Sequence, residues 1–140
     1  MSPRREQRTE AGSRAEATIR LNQARKFREV ADFVQGAEAD IPASASVAAS
    51  LAVLAGIAAS DAACWGALGK RSRSQNHRDA ADLLKQIEPG GPAAAKAFIR
   101  LIDLKDTAHY GLITVSPERL RIAIRDTDTL IEVATQVLSR

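Results

Sequence analysis

The sequence predicts an all-α protein, an up-and-down bundle of four to five helices, on three observations. Alanine supplies 27 of the 140 residues, while the aromatics are only Phe27, Phe33, Phe98, Trp65 and Tyr110. Small side chains let helices pack closely, whereas a sandwich or barrel needs many Val, Ile, Tyr and Phe. Apolar residues recur at helical spacing through five stretches, bounded by Gly, Pro or a capping Ser, Asn or Asp. No strand pattern is visible beyond 112–115. At 15.0 kDa the chain is one domain, long enough to bury a core without staples.

Each element has its own signal. Residues 1–12 are polar and charged, without the apolar region of a secretory signal, and read as a disordered tail ahead of a domain over 13–140. The first helix is expected over 13–35, with Ala17, Leu21, Ala24, Phe27, Ala31 and Val34 as its apolar stripe and Gly36 as its stop. Its arginines Arg14, Arg25 and Arg28 are expected on a solvated face. The second spans 42–68, with Asp40 as cap and Gly69 as stop. The third, over 76–87, presents Ala80, Leu83, Leu84 and Ile87. Glu88-Pro89-Gly90-Gly91-Pro92 then breaks the chain, and Pro92 opens a fourth helix that ends at Gly111. Its inward residues are Ala94, Phe98, Leu101 and Ala108. After an extended connector at 112–115, Ser116 caps and Pro117 opens the fifth helix, which runs almost to the end.

The net charge is +3, too mild to establish nucleic-acid binding, but it is uneven. Residues 36–69 carry no basic side chain, and Lys70, Arg71, Arg73 and Arg78 follow as a basic patch or a solvated loop. The 41–60 stretch is free of charge and as long as a bilayer crossing, yet it is mostly Ala and Ser and lacks a basic N-terminal flank. It reads as a buried bundle helix rather than a membrane span. One cysteine excludes a disulfide framework, and Cys64 reads as a buried structural thiol. Two distant histidines, no P-loop and no dinucleotide glycine motif leave no metal or cofactor expected. Arginine outnumbers lysine 15 to 5 beside abundant alanine, a codon signature of a GC-rich bacterial genome, and the expected location is cytoplasmic.

The stretch richest in chemistry is 103–111. On a helix Lys105 and His109 share one face, and Asp106 and Tyr110 the next. A cation beside an imidazole suits metal-free RNA cleavage: the imidazole takes the 2′-hydroxyl proton and the cation stabilises charge at phosphorus. The same residues also suit a packed helix end with satisfied polar tips. Asp61 stands alone in an otherwise uncharged stretch. It either points to solvent or has a cationic partner, orienting His109 or pairing across a dimer.

The segment from Leu101 to Leu138 resembles the C-terminal half of HEPN domains. The resemblance is carried by Lys105-Asp106-Thr107-Ala108-His109-Tyr110-Gly111 and then Val115-Ser116-Pro117-Glu118. Ala62-Ala63-Cys64-Trp65-Gly66-Ala67-Leu68, the basic loop after it and Asn76-His77 extend it over 45–138. It implies a helical bundle, usually a homodimer, that pairs with a small nucleotidyltransferase-type protein, often as a toxin–antitoxin system. Catalytic members look like metal-independent endoribonucleases with an Arg, four to six residues and a His. Here Lys105 stands for the Arg and only three residues separate it from His109, while Arg71 and His77 have the spacing but lie in a loop and helix start. Lysine also lacks the two-pronged guanidinium grip.

The leading expectation is therefore a HEPN-like, non-catalytic module that binds such a partner, a nucleotide or RNA. Lys70, Arg71, Arg73, His77, Arg78 and Arg100 are its candidate nucleic-acid contacts. The alternative is an endoribonuclease using His109 with Lys105, supported by Asp106 and Tyr110, with Asp61 as orienting carboxylate. A further alternative is a DNA-binding regulator in which the third and fourth helices mimic a helix-turn-helix.

Overall fold

The computed structural model describes residues 8–37, 42–110 and 115–140, with the side chains of 37 and 106–110 outside the description. Its elements are β1 (Thr9–Ala11), α1 (Arg14–Ala37), α2 (Pro42–Leu68), β2 (Lys70–Ser72), α3 (His77–Leu84), α4 (Gly91–Tyr110) and α5 (Pro117–Leu138). The chain is an all-α bundle with one small two-stranded ladder.

The long helices alternate in direction. Arg20 near the start of α1 meets Asp61 near the end of α2, Val115 just after α4 meets Ser46 near the start of α2, and Gly90 just before α4 meets Val133 near the end of α5, so α1, α2, α4 and α5 run up, down, up and down. α2 and α5 are therefore parallel and diagonal, yet they touch: the Thr127 hydroxyl donates to the Ala52 carbonyl at 2.8 Å. α1 and α4 each pack on both of them, from opposite sides. The diagonal contact exists because α2 offers little beyond Ala and Gly toward its neighbours: Ala48, Ala52, Ala55, Ala59, Ala62 and Ala63 are fully buried. A β-carbon on Gly56 would lie 2.4 Å from Leu101 Cδ1, so the missing side chain is the space that Leu101 fills.

α2 is long and apolar enough to cross a membrane by length and composition, with a mean hydropathy of 1.8 over its best window. That window is 67% buried inside the bundle, the placement of a core helix. Burial on several faces also explains why its apolar residues show no single stripe.

The cap at Ser116 forms as expected, accepting from Arg119 N at 3.2 Å, whereas Asn76, expected inside the third helix, precedes it and caps it by accepting from Arg78 N at 3.0 Å. Pro117 opens α5, and α2 stops at Leu68 before Gly69. Asp40, Gly111 and the 112–114 part of the connector lie outside the described residues.

Several expectations are corrected. α1 passes through Gly36 to Ala37, and α3 ends at Leu84, three residues early. Phe27 and Val34 are only half-buried, because the stripe turns toward Arg28 between them. Residues 8–12 are not a disordered tail, and 70–73 are not a solvated loop. Thr9, Glu10 and Ala11 pair antiparallel with Ser72, Arg71 and Lys70. Of the arginines of α1, Arg14 and Arg25 are exposed as expected and Arg28 is half-buried, but all three also have partners on α5. Arg14 donates to the Leu138 carbonyl at 3.0 Å, Arg25 to Thr135 at 3.0 Å and Arg28 to Asp128 at 2.7 and 3.2 Å, tying α1 to α5. Polar groups on α5 hold these cations along the surface seam between the two helices, with Arg28 alone half-buried.

Candidate functional site

The ladder, α1, α2, α3 and α4 meet around a cleft of about 390 Å³. Its charged walls are Arg20 from α1, Asp61 from α2, and Arg71 and Arg73 from β2 and the turn after it. His77, at the start of α3, and Phe98, on α4, close one end, edge to face with ring centroids 6.3 Å apart.

Asp61 is the hub. Its Oδ2 accepts from Arg20 Nε at 3.1 Å and from Arg71 Nη1 at 2.9 Å. The side chain is only 16% exposed, so two cations answer the cost of burying a carboxylate. Burial pushes its carboxyl up, while Arg20 and Arg71 pull the other way.

Arg71 is held on three sides. Glu10 Oε2 accepts from its Nε and Nη2 at 3.2 and 2.9 Å, Asp61 takes Nη1, and the guanidinium lies 4.4 Å from the centre of the Trp65 ring. Burial works against its charge, but Glu10 and Asp61 outweigh that and hold its pKa above the usual value. Trp65 is fixed in turn by donating from Nε1 to the Glu10 carbonyl at 3.0 Å. The strand passes so close to the indole that a β-carbon on Gly12 would lie 2.4 Å from Nε1. Only glycine lets β1 lie flat there.

The Arg71 hydrogen bond holds the Glu10 carboxyl below its ordinary 4.5, with further help from Arg73. A carboxyl lowered in the folded state stabilises it above that ordinary value, and the contribution is lost as pH falls through the lower, folded value. Below pH 4.5 the β1 clamp is therefore expected to loosen, read as a change in emission of Trp65, the chain's one tryptophan. Glu10→Gln should remove that transition; an unchanged profile in the variant would remove Glu10 from the clamp.

Cys64 lies behind this network. Burial, with Asp61 adding to it, pushes its thiol up to about 12. The native protein should resist iodoacetamide at neutral pH and be alkylated only after unfolding. Rapid alkylation of the folded chain would contradict this burial.

The expected site residues divide between places. Asp61, Arg71, Arg73 and His77 come together in the cleft. Lys70 and Arg78 are exposed and do not line it. Arg100 lies elsewhere, donating three hydrogen bonds of 2.7–3.2 Å to Asp126 beside a smaller pocket of about 120 Å³ that Arg119 and Ile122 also line. Lys105 is half-buried on α4, toward the N-terminal half of α2 and away from Asp61, because α4 and α2 are antiparallel. The side chains of Asp106, His109 and Tyr110 lie outside the described residues. Asp61 has cationic partners, as one expectation held, but both are in its own chain.

Sequence reasoning missed Arg20, Glu10 and Asp126. Arg20 carried a faint signal, standing three residues after Ala17 and four before Ala24, at the edge of the stripe. Asp126 occupies an inward position between Ala123 and Leu130, where a carboxylate demands a partner. Glu10 gave none. Among the described residues no three His, Cys, Asp or Glu side chains gather as metal ligands. No family model and no curated protein matches the chain.

Proposed function

We propose that this chain is a cytoplasmic, HEPN-like module that binds single-stranded RNA through the cleft at Asp61. The observation that carries the reading is the convergence of Arg20, Arg71 and Arg73, with Arg20 and Arg71 held in place by one buried carboxylate. Guanidinium groups oriented in advance lose little freedom when they meet a phosphate, and their fork matches its oxygens. His77, half-buried at the end of the cleft and backed by the buried Phe98 ring, offers its imidazole to an unstacked base. A recessed cleft of this size suits an end or a loop of a strand better than the flank of a duplex, which disfavours the DNA-regulator reading. In the same proposal the chain assembles as a homodimer and pairs with a small nucleotidyltransferase-type protein, the arrangement that its resemblance implies.

Binding is tested by anisotropy of a labelled oligoribonucleotide over a salt series. For single strands each phosphate contact contributes about −0.7 to the slope of log K against log salt. Arg73→Ala should weaken binding and flatten the slope by about that amount. Absence of binding at low salt would end this reading.

A second reading is metal-independent RNA cleavage, and one observation favours moving it from His109 to His77. Arg71 and His77, five residues apart in the gap, line the same cleft. His77 would take the 2′-hydroxyl proton as that oxygen attacks phosphorus; the bond from phosphorus to the 5′-oxygen breaks, leaving a 2′,3′-cyclic phosphate and a 5′-hydroxyl protonated by water, and the arginines would hold the charge that develops at phosphorus. Cleavage in excess EDTA by the wild type and by His109→Ala, lost in His77→Ala, would support it. Cleavage lost in His109→Ala alone would return the chemistry to the end of α4.

A further inference from the structure

We infer that the cleft selects a terminal phosphate monoester over an internal phosphodiester, and that Glu10 is the resident anion this group displaces. The inference rests on the RNA-binding reading and narrows its ligand.

Arg71 presents its two-pronged edge, Nε and Nη2, to Glu10 and its remaining nitrogen to Asp61. A ligand phosphate reaches that edge only by replacing one of the two carboxylates. They differ in how firmly they are held. Asp61 is 16% exposed and shared between two arginines on the long α2 helix. Glu10 is 39% exposed, meets Arg71 at 2.9 Å and Arg73 only at 4.0 Å, and stands on a strand of three residues. Glu10 is the exchangeable one.

The exchange sets the ligand's charge. Glu10 does not itself line the cleft but pairs with Arg71 and Arg73, so with it in place the three arginines answer two carboxylates. With Glu10 displaced, Arg20, Arg71 and Arg73 face Asp61 alone, and the cleft carries two uncompensated positive charges. A phosphodiester brings one negative charge, the same as the carboxylate it must evict, and competes against a group tethered at high effective concentration. A phosphate monoester brings nearly two charges and three acceptor oxygens. It matches the uncovered charge and uses the Arg71 edge, while Arg20 and Arg73 lie in the same cleft to receive its remaining oxygens. The volume agrees: about 390 Å³ lies at the small end of ligand pockets and fits a chain end or a single nucleotide.

The displacement has a built-in reporter. Trp65 stacks on Arg71, so eviction of the Glu10 carboxylate changes the charge around the guanidinium that lies against the indole, while the indole's bond to the Glu10 backbone carbonyl stays. The experiment uses the full chain and three hexaribonucleotides of one sequence, phosphorylated at the 5′ end, at the 3′ end or at neither. Anisotropy gives affinity and Trp65 emission gives displacement. One phosphorylated strand should bind about tenfold more tightly than the unphosphorylated one, the scale of one added charge-assisted contact, and should alone shift the emission. Glu10→Gln, with folding checked by circular dichroism, should bind the unphosphorylated strand more tightly and shrink the ratio to about threefold, as expected when the tethered competitor loses its charge. Glu10→Asp, which keeps the charge, should preserve the preference. A nucleoside 5′-monophosphate that competes as well as the phosphorylated strand would support the monoester and assign it to a free nucleotide. Equal affinity for all three strands would overturn the inference and leave RNA binding standing. Binding of none would overturn both. A ratio unchanged in Glu10→Gln would overturn the role of Glu10.

Discussion

Leu101→Ala is expected to lower stability by about 3–5 kcal/mol, near the top of the range for large-to-small core changes. Leu101 is 1% exposed and its Cδ1 occupies the space over Gly56, where α4 meets α2. The cost is high because the surroundings cannot close over the gap. The adjoining wall of α2 is largely alanine, whose side chains have no rotamers to swing inward, and the helix backbones are fixed by their own hydrogen bonds. A double-mutant cycle gives the decisive measurement. Gly56→Ala alone overpacks against Leu101 and should cost about 1–3 kcal/mol. In the Leu101→Ala background the same added methyl enters vacant space and should restore part of the loss. Chemical denaturation of the four proteins reads this, and strictly additive effects would mean that the two positions do not share one space.

Arg100→Ala is expected to cost about 3 kcal/mol, the low end for breaking a buried pair, since Arg100 itself is half exposed. Asp126 is 3% exposed, and all of its described hydrogen bonds come from Arg100. Removing the cation leaves a sealed carboxylate with neither solvent nor partner. Arg100→Leu combined with Asp126→Leu should recover most of the loss, because no charge is then buried. A double variant as unstable as Arg100→Ala would show that packing at Asp126, rather than charge, sets the cost. The RNA binding proposed above should be unchanged in the double variant, since neither residue lines the Asp61 cleft.

The helices were legible because their signals are local. A period of apolar residues, a serine or asparagine cap and a proline at the first turn each act within one or two turns, and all three agree at Ser116-Pro117. The ladder was not. Thr9-Glu10-Ala11 and Lys70-Arg71-Ser72 are three residues each, too short to alternate, and neither would be extended without the other. Their pairing depends on Trp65 and on glycine at position 12, contacts that span more than fifty residues of sequence. The candidate cleft was legible in pieces. Asp61 drew notice as a lone charge, and Arg71 and His77 by their spacing, but which cation answers which carboxylate is a property of helix crossing. The heading of α4 relative to α2 carries Lys105 away from Asp61, and the return of β2 after α2 brings Arg71 to it.

The short ladder also divides the molecule in time. It ends in two backbone bonds, Gly12 N to the Gly69 carbonyl and Arg73 N to the Arg8 carbonyl, at 3.1 and 2.8 Å. Together they join the two ends of a closed ring that contains the whole α1–α2 hairpin. Few apolar contacts back these bonds, so their amide protons should exchange with deuterium through brief local openings, whereas those at the centre of α2 should exchange only when the whole bundle unfolds. The rate at Gly12 and Arg73 then measures how often the clasp at the mouth of the cleft is undone, while the rate at Ala52 to Ala63 measures the lifetime of the fold that carries it.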